Sequence, residues 1–324
     1  MKQEILTGVQ YIRTHVDVTD PKLTALQAML ELREEVKDTC TLQIIAFPQE
    51  GMYAYQGGDK LVEEALTMGA DLVGAIPHFE YTREDGVKSV QKAFELAVKY
   101  DKMVDIHCDE TDDDQSRFIE VLAAEALRSG IAEAEALRSG IAEKATASHT
   151  CAMHSYNNAY TYKLFKLLGL SKVNFISCPT ENIHLQGRFD NYPKRRGLTR
   201  VKELNEAGIN VCFAQDSMSD PWYPVGNGNL MNILDAGIHI AQMMSIEEIS
   251  NSLDLITVNG ARTLNILDQY GIEAGKPANF IVLNAKGEFE AVCNRVSVAC
   301  SVRDGEFLFE RAPEVITTTN GLLK

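Results

Sequence analysis

The chain has 324 residues, 45% of them hydrophobic and 24% charged, with a net charge of −15 and a pI of about 5.0. That is ordinary globular composition and enough chain to bury a large core. The acidic balance without a basic patch excludes nucleic acid as a natural partner; no apolar run reaches the roughly 20 residues of a membrane helix, and the start, Met1-Lys-Gln-Glu-Ile-Leu6, lacks a signal-peptide core, so the expected location is the cytoplasm.

After a short helical stub at 2–6, apolar strand-like runs at 11–18, 42–47, 71–76, 103–108, 144–149, 173–178 and 209–213 alternate with amphipathic segments such as 21–36, 60–68, 87–100 and 156–168. Strand and helix in alternation predict a parallel sheet with helical crossovers. Strands that are apolar almost throughout suit a sheet covered on both faces or closed on itself. The expected fold class is therefore α/β, a TIM (β/α)8-type barrel. A barrel of this kind needs eight strands and only seven strand–helix units can be counted, so the first strand is expected to be absent. Helical patterns follow at 228–244 and 246–266. A turn and strand over 270–284 and two strands flanking Arg303-Asp-Gly305, a hairpin signal, make the tail a small β segment. The expected division is a catalytic barrel over 1–266 and a C-terminal remnant of a β-sandwich over 267–324.

One internal repeat stands out: residues 124–133 read AEALRSGIAE and 134–143 repeat them. Ten residues at about 100° each turn a helix face by roughly 80°, so the second copy cannot extend the buried stripe of the first. The pair reads as a tandem duplication forming an extra surface turn. The seven cysteines contain no CxxC pair and read as buried reduced thiols. Cys108 and Cys151 adjoin the histidines discussed next and are the two that could act as ligands.

Three strands end in chemistry. Val104-Asp-Ile-His-Cys-Asp-Glu110 ends in His107 with Glu110 three residues on, the next strand ends at His149, and Val211-Cys-Phe-Ala-Gln-Asp216 ends at Asp216. The carboxyl ends of parallel strands are where such folds bind ligands. Two histidines and an aspartate at one barrel mouth have the composition of a catalytic metal site, where a bound ion lowers the pKa of its water. Glu110 is placed to move a proton. Gln49, after another strand, has an amide that could read a carbonyl or amine. Trp222, the one tryptophan, could wall a pocket for a flat ring. His15 and Asp17 have the i, i+2 spacing of two ligands on one strand face but read as structural. His184 is placed in a loop near the site. The acidic run 109–114, Glu110 apart, reads as a solvated helix start.

Arg13-Thr-His-Val-Asp-Val18, Ala46-Phe-Pro-Gln-Glu-Gly51, Ile106-His-Cys-Asp-Glu110, Thr146-Ala-Ser-His-Thr150, Asn182-Ile-His-Leu-Gln-Gly-Arg-Phe-Asp190 and Asp220-Pro-Trp-Tyr-Pro224 together resemble bacterial cytosine deaminases of the amidohydrolase superfamily, almost end to end. The resemblance implies a metal-dependent barrel with a small β-sandwich, one divalent ion (Fe or Zn), and hydrolytic deamination of a ring amidine. It implies that His107 and Asp216 bind the metal, that Asp216 also shuttles protons, and that His149 helps to activate the water. Glu110 matches the carboxylate that protonates the ring nitrogen, Gln49 the substrate-orienting amide, and Trp222 a wall of the ring pocket. Two departures follow. The family's first strand carries a His-x-His metal pair, and this sequence contains none, so metal affinity and turnover of the chain alone are expected to be low. Where family cytosine deaminases place a second Asp after the metal aspartate, this chain has Ser217, which moves the expectation from cytosine toward a related ring such as creatinine, isocytosine or a triazine-type ring. The expected partner is thus a small nitrogen heterocycle, with a homo-oligomer compatible. The alternatives are an impaired fragment or split-gene subunit needing another chain to supply the missing strand, and a barrel hydrolase acting on amides or C–Cl bonds.

Overall fold

In a computed structural model of the protein, which describes residues 1–128, 144–313 and 315, seven parallel strands lie side by side in chain order. They are β1 (Tyr11–Asp17), β2 (Thr41–Phe47), β3 (Leu72–Ala75), β4 (Met103–Cys108), β5 (Ala145–His149), β6 (Asn174–Ser177) and β7 (Val211–Phe213). Each falls inside or within a residue of its predicted run, because long apolar runs leave little freedom about which residues enter a sheet covered on both faces. Around them run α1 (Lys2–Ile5), α2 (Thr24–Val36), α3 (Gly58–Met68), α4 (Arg83–Tyr100), α5 (Phe118–Arg128), α6 (Asn158–Ser171), α7 (Pro179–Leu185), α8 (Val201–Glu206), α9 (Leu230–Ile240), α10 (Ile246–Ser250) and α11 (Val258–Thr263). Helix starts carry the expected caps: Thr82 accepts from the Asp85 N–H, Asn157 from the Tyr160 N–H, and Ser245 forms a capping box with Glu248. The tandem repeat lies outside the described residues beyond its first five, which form the end of α5.

The sheet is curled but, among the described residues, β1 and β7 pair only with β2 and β6. The end of α11 fills part of the gap. Its Thr263 carbonyl accepts from Arg13 Nη2 at 2.8 Å, and the Leu264 carbonyl accepts from Gln43 Nε2 at 2.8 Å. On the other side Asn259 Nδ2 donates to the Val211 carbonyl at 2.9 Å, and Asn210 Nδ2 to Thr263 Oγ1 at 2.9 Å. Three side chains from strand and strand-entry positions, Arg13, Gln43 and Asn210, thus bind one helix end, whose last carbonyls would otherwise lack partners, and Asn259 of that helix binds back to β7.

The tail forms a second sheet, β8 (Phe280–Leu283), β9 (Val298–Arg303) and β10 (Glu306–Glu310), antiparallel in the order β10–β9–β8. The predicted hairpin is there, with Asp304 and Gly305 both at positive φ (50° and 85°) as such a turn requires. A helix within the tail, α12 (Glu288–Asn294), was not foreseen. The small sheet docks on the entry to β1: Gln10 Nε2 donates to Ser301 Oγ and the Val302 carbonyl, both at 2.9 Å, and Arg303 Nη2 to Thr41 Oγ1 at 2.9 Å. No described helix is long and apolar enough to cross a membrane.

Candidate active site

The residues that end the strands meet at one mouth. β4 delivers His107, β5 delivers His149, and the turn after β7 delivers Asp216. His149 and Asp216 both sit in the left-handed region, at φ 70° and 66°. Neither is glycine or asparagine, so each holds a conformation that costs free energy and is retained where the surroundings over-determine it. The turn at β5 is fixed from below: Thr150 N–H donates to the Cys108 carbonyl at 2.9 Å, and Ala152 N–H to the Asp109 carbonyl at 3.0 Å.

His107 stands in the middle of a row of rings, with centroids 4.3 Å from His149 on one side and 4.3 Å from His15 on the other, and Phe47 at 4.4 Å. His15, read from sequence as structural, therefore belongs to this site. The reasoning failed because a curled sheet brings β1 beside β4 across its interior, a proximity no strand order reveals. Burial, and then the neighbouring His149, His15 and His78, keep the His107 imidazole neutral well below the usual histidine range. His149 is lowered too, chiefly by burial, with Asp216 opposing. Neutral imidazoles are the ligand form.

His149 Nδ1 accepts a hydrogen bond from Asn182 Nδ2 at 3.0 Å. The amide cannot be turned round, because its Oδ1 accepts from the Cys178 N–H at 3.2 Å. This assigns the ring proton of neutral His149 to Nε2. Glu110 Oε1 lies 3.2 Å from the same Nδ1, and Asp216 Oδ2 at 3.8 Å. Beside a nitrogen that carries no proton, the protonated form of Glu110 is favoured over the ionised one. Burial, with Asp216 and Glu181 adding like charge, raises its pKa well above the usual carboxylate range. A carboxyl shifted in that direction, on the cavity wall, suits a proton donor.

A cavity of about 940 Å³ opens over these groups and is lined also by Gln49, Cys178, Glu181, Ser217 and Trp222. Trp222 is 58% exposed and forms rim rather than wall. His184 turns away to Arg188 and Tyr223. The acidic run is not simply solvated. Asp109 is fully buried and caps α5, accepting from Ser116 Oγ (2.7 Å) and the N–H groups of Phe118 and Ile119 (both 2.9 Å); Asp112 accepts from the Gly187 N–H at 2.9 Å. Those bonds tie the His107 strand end to the next helix and to the loop after α7.

The residues fit a divalent metal ion. Donor atoms of His107, Glu110 and His149 lie within 4.8 Å of one another, as do those of His149, Cys178 and Asp216, and His107 Nδ1 is buried with no hydrogen-bond partner. An unsatisfied buried imidazole nitrogen points to a missing ligand. His107 and Asp216, the two predicted metal ligands, share no single group at that spacing; His149 belongs to both. Cys108 and Cys151 are in neither group, whereas Cys178, not singled out from sequence, is.

Gln49 is carried on a loop whose backbone is pinned by one buried side chain. Glu80 accepts from the N–H groups of Met52 (2.7 Å), Tyr53 (3.2 Å) and Ala54 (2.7 Å). Glu80→Ala is expected to cost about 2–3 kcal/mol of stability, since it leaves three inward-facing donors without acceptors. Faster hydrogen exchange confined to residues 52–54 would show the loop loosening; unchanged exchange and an unchanged melting temperature would refute the assignment.

Comparisons with known proteins identify the family. The profile of the amidohydrolase family matches residues 5–309. An N-isopropylammelide isopropyl amidohydrolase of Pseudomonas sp. (strain ADP) is 30% identical over 307 residues, 94% of this chain and 70% of that protein. A pterin deaminase of Rhizobium rhizogenes is 25% identical over 310 residues, 95% of this chain and 67% of that one. Among solved structures, a 5-methylcytosine deaminase from Klebsiella pneumoniae liganded with 5-fluorocytosine is 54% identical, with a TM-score of 0.93 over 98% of this chain and 74% of that chain.

Proposed function

The chain belongs to the amidohydrolase family, a family of metal-dependent hydrolases acting on C–N bonds, and from that premise we propose that it deaminates a 4-aminopyrimidin-2-one of the cytosine type, 5-methylcytosine foremost. The observation that carries the reading is the convergence of Glu110 and Asp216 on His149 Nδ1, at 3.2 and 3.8 Å, in a cavity large enough for a heterocycle. The similarity to 5-methylcytosine deaminase supports the ring, and Ser217, smaller than aspartate, is compatible with a ring bearing a methyl group. From sequence, Ser217 moves the expectation from cytosine toward creatinine, isocytosine or a triazine-type ring; the similarity to 5-methylcytosine deaminase supports placing the methylated pyrimidine ahead of those rings.

In this reading the reaction converts a ring C–NH2 and water to a ring C=O and ammonia. His107 and Asp216 would hold one divalent ion, Fe or Zn, which when bound would lower the pKa of a water at the site. Glu110 gives its proton to the ring nitrogen next to the reacting carbon and takes one back from the added hydroxyl as the C=O forms and ammonia leaves. Asp216 takes the proton lost by the water and passes it to the leaving amine, and His149, with its proton on Nε2, steadies the oxygen that adds. Gln49 orients the ring, and Trp222 closes the rim above it. Residues 1–266 form the catalytic unit, 267–324 the small β segment, and the protein works in the cytoplasm.

The test is ammonia release from 5-methylcytosine, cytosine, creatinine and isocytosine at high enzyme concentration with added Zn or Fe, beside elemental analysis of the purified chain. Ammonia from the pyrimidines, lost on chelation, is expected. Alkylamine from an N-alkyl triazine with no ammonia from any pyrimidine would overturn the reading. A second reading rests on the unpaired edges of β1 and β7: another polypeptide adds a strand there and completes the metal site. Metal-free chain that is silent alone and gains both metal and ammonia release on mixing with that polypeptide would favour it.

A further inference from the structure

One charged side chain in the cavity has no role in the reaction above. Glu181 lies in the first turn of α7, four residues past the end of β6 at Ser177. It is 1% exposed and lines the cavity, and among the described residues neither carboxylate oxygen has a partner at hydrogen-bonding geometry. Ser217, through its hydroxyl and its N–H, comes near enough to offset part of the penalty of burial, which with Asp216 and Asp220 raises the Glu181 pKa to about 7. Glu181 belongs to neither of the donor groups that fit a metal among the described residues. A buried carboxyl with no partner costs folding free energy, and such a group on a cavity wall is satisfied by what enters the cavity.

The topology says which side of a ligand it meets. Gln49 follows β2 and Glu181 follows β6, four strands apart in a sheet that curls round the cavity both residues line. They stand on opposite walls. We propose that Glu181 is a substrate-positioning residue whose carboxyl takes an N–H of the heterocycle on the edge turned away from Gln49, so that the site selects flat rings with a hydrogen-bond donor on that edge. The inference rests on the deaminase reading of the site and adds the residue that sets the ring's orientation.

The experiment compares the full chain with Glu181→Leu and Glu181→Gln, measuring ammonia release from 5-methylcytosine and the melting temperature without ligand. Glu181→Leu is expected to raise KM by about tenfold or more with a smaller change in kcat, because the interaction is made already in the bound ring. Glu181→Gln, which keeps an acceptor of the same size, is expected to recover most of that loss. The ligand-free melting temperature of Glu181→Leu is expected to equal or exceed that of the parent, since an unpaired buried carboxyl has been removed. A parent-like KM in Glu181→Leu would mean a carboxyl that is merely hydrated and would overturn the proposal. So would a KM that rises together with a lower ligand-free melting temperature in both variants, which is the mark of a structural role. A parent chain that releases no ammonia from any pyrimidine overturns the deaminase reading and this inference with it; an active parent with indifferent variants overturns this inference alone.

Discussion

Glu110→Gln is expected to lower kcat for ring deamination by about a hundredfold to ten-thousandfold while ring binding changes little. The amide has nearly the same shape and still fits beside His149 Nδ1, where Glu110 Oε1 now lies at 3.2 Å, but it has no proton to give. The sign of the pH effect follows from the same environment. Burial and the charge of Asp216 and Glu181 raise the pKa of Glu110 well above its ordinary 4.5, so the active, protonated form persists above the usual carboxylate range and turnover falls as pH rises past the shifted value. Stability moves in the same direction: a carboxyl whose folded pKa is raised weighs nothing on the fold below its ordinary pKa and destabilises progressively as pH climbs from there to the folded value. Glu110→Gln should therefore lose the basic limb assigned to this group and also flatten the stability profile across that window. A variant that turns over within about threefold of the parent would show that Glu110 is not the proton donor.

Most of the architecture was legible because its signal is local and repeated. The run of the β4 strand, from Met103 to Cys108, is apolar enough that hydrophobic burial leaves one choice of strand, and the same holds along the sheet. The positions of His107, Glu110 and Asp216 follow from the rule that strand ends carry chemistry. What was not legible depends on curvature and on backbone geometry. No sequence pattern announces that His149 and Asp216 adopt positive φ, since neither position is glycine. His15 was misjudged because its nearness to His107 is a property of the curled sheet. Glu181 was missed although, like Glu110, it is a carboxylate just past a strand end; β6 carries no histidine at its end, so no motif marked the position. The helix Glu288–Asn294 escaped because its seven residues are too few for periodicity to outweigh the strand signals on either side.

Asp105→Asn is expected to be the most destabilising conservative change in the chain. Asp105 and Arg13 form an ion pair at 3.0 Å with side-chain exposures of 0% and 4%, beneath the row of site histidines. Arg13 also donates to Gln43 Oε1 at 2.9 Å and to the Thr263 carbonyl, and Asp105 accepts from Ser148 Oγ at 2.6 Å, so the pair joins β1, β2, β4, β5 and the end of α11. His15 Nε2 stands 3.7 Å from Asp105 Oδ1, beyond hydrogen-bonding distance. Removing one charge leaves a guanidinium buried without its counter-ion, at a cost of about 3–5 kcal/mol. Burial alone would raise the Asp105 pKa; His15, Arg13 and Ser148 outweigh it, and the net shift is downward. The pair's contribution is therefore complete above the ordinary carboxylate value and is lost as pH falls through the depressed one, so the parent should show an acid transition that Asp105→Asn lacks. Denaturant midpoints across pH measure both effects. The double change Arg13→Met with Asp105→Asn is the discriminating one: it removes both charges, so it should be less destabilised than the sum of the single changes. Additive losses would mean that the two side chains pack independently and that the charge pair does not hold the strands in register. The consequence reaches the site, because Asp105 and Ser148 sit two residues and one residue before His107 and His149, and a strand that slips there carries its histidine with it.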